Sequence, residues 1–222
     1  MARIGIVGGI GPESTIAYYR LLIAERHTDI VICSIDVSRL LALVADNDLA
    51  ALTEYLSAAV DTLTDARAEV AIIASNTPHI VFDDVRRRAT IPMVSIVEAT
   101  AAHIAAMGLK RVGLLGTRFT MEARFYPEVL GRRGIAVVTP DADERALVHD
   151  KYVNELLRNT FLPETRARLL GVIDRMIARD GIEGVILGGT ELPLLLTDAT
   201  HAGIPILDTA VIHVRAALEF RR

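Results

Sequence analysis

The chain has 222 residues, of which 51% are hydrophobic and 5% aromatic, with no Trp. This suits one compact unit or two lobes of roughly 100 residues each, with aliphatic cores of the kind parallel strands form under helices. A formal charge of -4, from 24 basic and 28 acidic residues, leaves no basic field to hold nucleic acid, and no apolar run reaches the roughly 18 residues needed to cross a bilayer.

Arg3 leads at once into a first strand over 4–7 and a glycine turn. It lacks the apolar stretch and small-residue cleavage site of a secretory signal. The single cysteine, Cys33, has no intrachain partner, so the expected location is cytoplasmic. Cys33 falls inside the next predicted strand, 30–35, where a thiol behaves as a small buried hydrophobe. Leu49, Leu52, Leu56, Ala59, Val60 and Leu63 then recur at helical spacing. Strands over 70–74 and 93–94 follow, with a helix over 95–107 after the second of them. Next come strands over 112–115 and 135–138, then a helix carrying Leu169, Val172, Ile173, Met176 and Ile177. Strands over 185–187 and 206–207 and a helix over 208–222 complete the chain. The clusters Arg86-Arg87-Arg88 and Arg221-Arg222 read as solvated helix ends. Alternation of this kind predicts an α/β fold of right-handed βαβ units with parallel sheets.

The chain also repeats itself. Arg3-Ile4-Gly5-Ile6-Val7-Gly8-Gly9 returns 108 residues on as Arg111-Val112-Gly113-Leu114-Leu115-Gly116-Thr117. Ile72-Ile73-Ala74-Ser75-Asn76-Thr77 matches Ile186-Leu187-Gly188-Gly189-Thr190-Glu191, and Ile91-Pro92-Met93-Val94 matches Ile204-Pro205-Ile206-Leu207. Three matches in one order predict two similar Rossmann-like lobes, 1–98 with 208–222 and 99–207. The last helix is expected to pack back on the first lobe.

Ligands of open parallel sheets bind beyond the carboxyl ends of the strands. The loops there carry Gly8-Gly9-Ile10-Gly11-Pro12, Ser75-Asn76-Thr77-Pro78, Gly116-Thr117 and Gly188-Gly189-Thr190-Glu191. Their glycines let a ligand approach the backbone, and helix starts favour carboxylates. Taken singly, Asn76, Thr117 and Thr190 are as readily helix caps. Their recurrence at equivalent strand ends predicts a shared ligand site between the lobes.

Several segments resemble the cofactor-independent aspartate/glutamate racemases, in family order from residue 3 to about residue 214. Gly8-Gly9-Ile10-Gly11-Pro12-Glu13-Ser14-Thr15 resembles the family's opening glycine loop. Ala74-Ser75-Asn76-Thr77-Pro78-His79 is similar to its first catalytic motif, where cysteine precedes Asn-Thr, and Gly188-Gly189-Thr190-Glu191 to its second, where cysteine precedes Thr-Glu. Leu115-Gly116-Thr117, Phe119-Thr120-Met121 and Asp208-Thr209-Ala210-Val211-Ile212-His213 resemble further signatures. The resemblance implies lobes related by approximate twofold symmetry, an acidic amino acid or small carboxylate held between them, a homodimer, and neither pyridoxal phosphate nor metal. It implies two thiols, one removing the α-proton and the other returning a proton to the opposite face.

Here Ser75 stands at the first cysteine position and Gly189 at the second. A serine hydroxyl is a far weaker acid that needs an adjacent base, and glycine has no side chain, so two-thiol racemisation cannot run. Glu191, His79 and His213 are the candidates for replacement or orienting groups. Gly9, Asn76, Thr77, Thr117 and Thr190 are candidate ligand contacts, with Arg39, Lys151 or Arg166 as basic partners for an acidic side chain. The family's one-cysteine decarboxylases keep the second cysteine, which Gly189 removes too. The six histidines, His27, His79, His103, His149, His201 and His213, form no metal-like cluster in the sequence. Three alternatives stand beside this reading. One is a family relative with altered chemistry, such as isomerisation, and another is a non-catalytic binding or sensor protein. The third is a dinucleotide enzyme, since Gly9-Ile10-Gly11-Pro12-Glu13-Ser14 approaches G-x-G-x-x-G and Asp36 lies 25 residues beyond Gly11.

Overall fold

The computed structural model describes residues 2–25 and 29–220; His27 and Arg221-Arg222 lie outside them. The chain divides into two compact units, Met1–Ala99 with Ala210–Arg222, and Thr100–Thr209.

The first unit runs β1 (Ile4–Gly8), α1 (Pro12–Ala24), β2 (Ile30–Ser34), α2 (Val37–Ala45), α3 (Leu49–Asp65), β3 (Val70–Ile73), a 3₁₀ turn (Thr77–Val81), α4 (Phe82–Arg88), β4 (Met93–Val94) and α5 (Ile96–Ala106), whose later residues belong to the second unit. Its parallel sheet has the order β2-β1-β3-β4. Strand side chains alternate between faces, and both faces of this sheet are covered. Val7, Ala71 and Ile73 pack on Leu52, Leu56, Ala59, Val60 and Leu63 of α3. Ile4, Ile6, Val70 and Ile72 pack on Tyr18 and Leu22 of α1. At Gly5 a Cβ would lie 2.9 Å from Ala68 Cβ and 3.0 Å from Leu63 Cδ1, so the missing side chain is what lets α3 approach. The arginines ending α4 are not merely solvated. Arg86 bonds Glu98 at 2.8 and 3.0 Å and Asp83 at 2.6 Å, and Arg87 pairs with Asp84.

The second unit continues β5 (Arg111–Gly116), α6 (Arg118–Glu122), α7 (Phe125–Gly131), β6 (Ala136–Val138), α8 (Ala142–Asn154), a 3₁₀ turn (Leu156–Arg158), α9 (Pro163–Asp180), β7 (Val185–Gly188), α10 (Leu192–Leu195), β8 (Thr200–His201) and β9 (Ile204–Asp208). Its sheet order is β6-β5-β7-β9-β8. Leu115, Val185 and Leu187 pack on Val148 and Tyr152 of α8 and on Leu169, Val172, Ile173 and Met176 of α9. Gly113 repeats the role of Gly5: a Cβ there would lie 2.9 Å from Ile182 Cδ1 and 3.0 Å from Met176 Cε. The last helix, α11 (Thr209–Glu219), sets Ala210, Val214 and Ala217 into the same core cluster as Ile4, Ile6 and Tyr18.

Two expectations need correction. β8 is a strand with no counterpart in the sequence reading, and it pairs antiparallel with β9 through Thr200↔Pro205 and His201↔Ile204. Between them Ala202 and Gly203 have φ of 47° and 84°, the left-handed pair that closes a two-residue hairpin. Cys33 is half-buried rather than enclosed, because β2 is the edge strand of its sheet and is covered less fully than β1 and β3. Among the described residues, no helix is long and apolar enough to cross a membrane.

Candidate functional site

Each sheet places its first strand beside its third, so the connections from those two strands leave on opposite sides and a crevice opens beyond their carboxyl ends. In the first unit that point lies between β1 and β3, and in the second between β5 and β7. The loops that follow these strands are Gly9–Gly11 and 74–76, then Thr117 and 189–191, and all but the first carry polar side chains.

In the first unit, Gly9 has φ 82°. A Cβ there would fall 2.6 Å from Ser34 Oγ and collide with Ile35 O, so only glycine fits. Its amide donates to Thr15 Oγ1 at 2.8 Å, which commits it within the chain rather than to a ligand. Gly11, at φ 84°, precedes Pro12, and α1 starts there. Asp36 spends its carboxylate on α2, accepting from the amides of Ser38 at 2.7 Å and Arg39 at 3.4 Å.

The loop after β3 is nearly closed to solvent, with Ser75 9% and Asn76 2% exposed. Two buried histidines fix it. His79 Nε2 accepts the amide of Ile96 at 3.2 Å, so its proton lies on Nδ1, which donates to the carbonyl of Ser75 at 2.9 Å. His213 carries its proton on Nε2, donating to Val94 O at 2.9 Å, and accepts Tyr18 Oη–H on Nδ1 at 2.8 Å. The rings meet edge to face with centroids 6.1 Å apart. Burial, reinforced by the neighbouring His213, holds the His79 pKa well below the usual histidine value, and burial lowers that of His213 to about 4. This corrects the catalytic expectation for both. Each is neutral with both ring nitrogens engaged, and neither has a lone pair open to a ligand's proton. They pin Ser75 and the β4–α5 junction.

In the second unit, Thr117 caps α6, accepting the Thr120 amide at 3.2 Å. Thr190 does not cap a helix. Its hydroxyl donates to Glu191 Oε2 at 3.0 Å, and Tyr152 Oη donates to the same oxygen. Glu191 and Tyr152 are 3% and 5% exposed. Burial and then the Glu191 carboxylate push the Tyr152 phenol well above its usual pKa. Tyr152 went unnoticed in the sequence because it sits far along the chain, on α8, and only packing sets it against the loop.

The three basic candidates serve local contacts. The Arg39 guanidinium lies 4.3 Å over the Tyr55 ring. Lys151 pairs with Glu155, and Arg166 with Asp198. Among the described residues, no group of three or more His, Cys, Asp or Glu side chains is placed to hold a metal ion.

The family model for Asp/Glu/hydantoin racemases matches residues 7–217. The chain belongs to that family. Among solved structures, it is 35% identical to an aspartate racemase homologue from Pyrococcus horikoshii, covering 99% of this chain and 98% of that one with a TM-score of 0.84. It is 23% identical to the aspartate racemase of Picrophilus torridus, covering 98% of this chain and 93% of that one with a TM-score of 0.74, which speaks for the fold alone. Among curated relatives, the broad-specificity amino-acid racemase RacX of Bacillus subtilis is 24% identical, over 93% of this chain and 92% of its own length. The α/β fold with two largely parallel sheets is thus the racemase-family fold, and the family binds small-molecule substrates of the amino-acid kind.

Proposed function

We propose that this family member binds an acidic amino acid or a related small carboxylate through its strand-end loops, with Ser75, Asn76 and Thr77 after β3, and Thr117, Thr190 and Glu191 after β5 and β7, as the candidate contacts. On this reading it does not carry out two-thiol racemisation. One observation carries the reading: both units place polar loops at the switch point of the sheet, and neither loop holds a thiol. The only cysteine, Cys33, sits on edge strand β2 opposite Val7 of β1, not in either of these loops. Exposed amides at strand ends and helix starts favour carboxylates, and the family's small-molecule chemistry agrees. Binding without turnover, as in a sensor, follows from the same observation. Titration calorimetry with aspartate, glutamate and small dicarboxylates tests it, and an absence of binding at millimolar ligand overturns it.

The reading includes a cytoplasmic location, no pyridoxal phosphate and a homodimer. Ile16, Tyr19 and Ile23 are exposed on one face of α1, and Ile32 is exposed on edge strand β2, which supports association. Light scattering should return twice the 24.1 kDa chain mass.

A further inference from the structure

The glycine at 189 and the tyrosine at 152 form a complementary pair. The backbone of Gly189 is not among those with positive φ, so a side chain there is conformationally permitted. A Cβ built on it would nonetheless lie 2.7 Å from Tyr152 Oη and 2.8 Å from Tyr152 Cζ, and would collide with Cε2. All three obstructing atoms belong to one side chain. The ring has little room to yield. It is buried in the cluster that holds Val148, Leu156, Leu169 and Leu192, and its hydroxyl is tied to Glu191.

We propose that Tyr152 is the specificity-determining residue of the loop after β7, its phenol occupying the place from which a residue-189 side chain would reach a ligand. The ligand part of this proposal rests on the carboxylate-binding reading above. The hydroxyl hydrogen is spent on Glu191, and the oxygen also faces the Glu191 backbone amide and the Thr190 side chain, so Oη is engaged within the loop. Tyr152 therefore sets which carboxylates the loop admits by the volume its ring fills beside residue 189. The phenol stays protonated near neutral pH, because burial and the adjacent Glu191 carboxylate both oppose its ionisation. Tyr152 therefore shapes the loop and does not act as a base.

The test has two arms, both on the full chain. In the first, G189A is made with Tyr152 intact and in a Y152L background, with Y152V as the second small replacement should Y152L not fold. With Tyr152 intact, G189A is expected to lower Tm by about 5 °C, as overpacking does in a chain of this size. In the Y152L or Y152V background the loss should fall below about 2 °C, a coupling that independent sites do not show. With C33S also present, G189C should react with a thiol reagent roughly tenfold faster in the Y152L background than with Tyr152 intact, since the phenol no longer covers it. Equal Tm losses and equal thiol rates in both backgrounds overturn the pairing. In the second arm, calorimetry compares aspartate, malate and succinate. Y152L or Y152V, which open the space beside residue 189, should change the aspartate-to-succinate affinity ratio about fivefold or more, while Y152F, which keeps the ring, should change it less than about twofold. An unchanged ratio in the opened variants overturns the specificity role. Should the unaltered protein bind none of them, the carboxylate reading fails, and the Tm and thiol results still decide the Tyr152–Gly189 pairing.

Discussion

Acidification should destabilise the first unit through its buried histidines. His213 holds its pKa at about 4, against 6.5 for a solvated ring, because burial opposes the charged form. Below pH 6.5 the unfolded chain takes up a proton at this residue, while the folded unit does so only near pH 4. The unfolded state thus binds more protons in that window, and stability falls as pH falls, levelling off below pH 4. One full pH unit in that window is worth about 1.4 kcal/mol per proton, so His213 alone removes roughly 2 kcal/mol between pH 7 and pH 5, and roughly 3 kcal/mol in all. His79, also held low by burial, acts in the same direction. Urea unfolding followed by circular dichroism, for the unaltered protein and for His213→Gln, measures this. The glutamine can still donate to Val94 O but carries no titratable ring. The variant should be less stable at pH 7 yet lose about 2 kcal/mol less than the unaltered protein on going to pH 5. The His213 ring resonances should not titrate above about pH 5. An identical pH loss in both proteins, or a ring that titrates near 6.5, refutes the argument.

Replacing Asn76 and Thr190 together by Ala should weaken aspartate binding in calorimetry by tenfold or more, on the order of the loss of two hydrogen bonds. An unchanged affinity removes them from the site. Thr117→Ala should cost about 1 kcal/mol in chemical unfolding, the worth of the cap it provides. The unaltered protein should incorporate negligible deuterium at the α-carbon of L- or D-aspartate in D₂O, read by NMR, because Ser75 is a weak acid and Gly189 has no side chain. S75C alone should permit exchange on one face at most. Rapid inversion by the unaltered chain, abolished by Glu191→Gln, would falsify the binding reading and identify Glu191 as a base.

The sheet strands were legible because their signals are local. β-branched runs such as Ile4-Gly5-Ile6-Val7 precede glycine turns, and the repeat between Gly5 and Gly113 marks the same close helix approach in both units. The loops at 75–77 and 189–191 were legible for a similar reason, since each follows a buried strand directly. What escaped the sequence depends on tertiary partners. Nothing near His79 announces that the Ile96 amide will occupy its Nε2, and nothing near Arg166 announces Asp198 rather than a ligand. Tyr152 is the clearest case: its meaning exists only in relation to a glycine 37 positions away.

α11 belongs to the core of the first unit although it follows the whole of the second in sequence. During synthesis β1 and β3 emerge early, but Ile4, Ile6, Val70 and Ile72 lack one of the helices that cover them until Ala210, Val214 and Ala217 have been made. The unit begun first is therefore completed last, while Thr100–Thr209 has all its own elements before that point. A ribosome-bound chain should thus acquire its protease-resistant regions in the reverse of the usual amino-to-carboxyl order of domain folding.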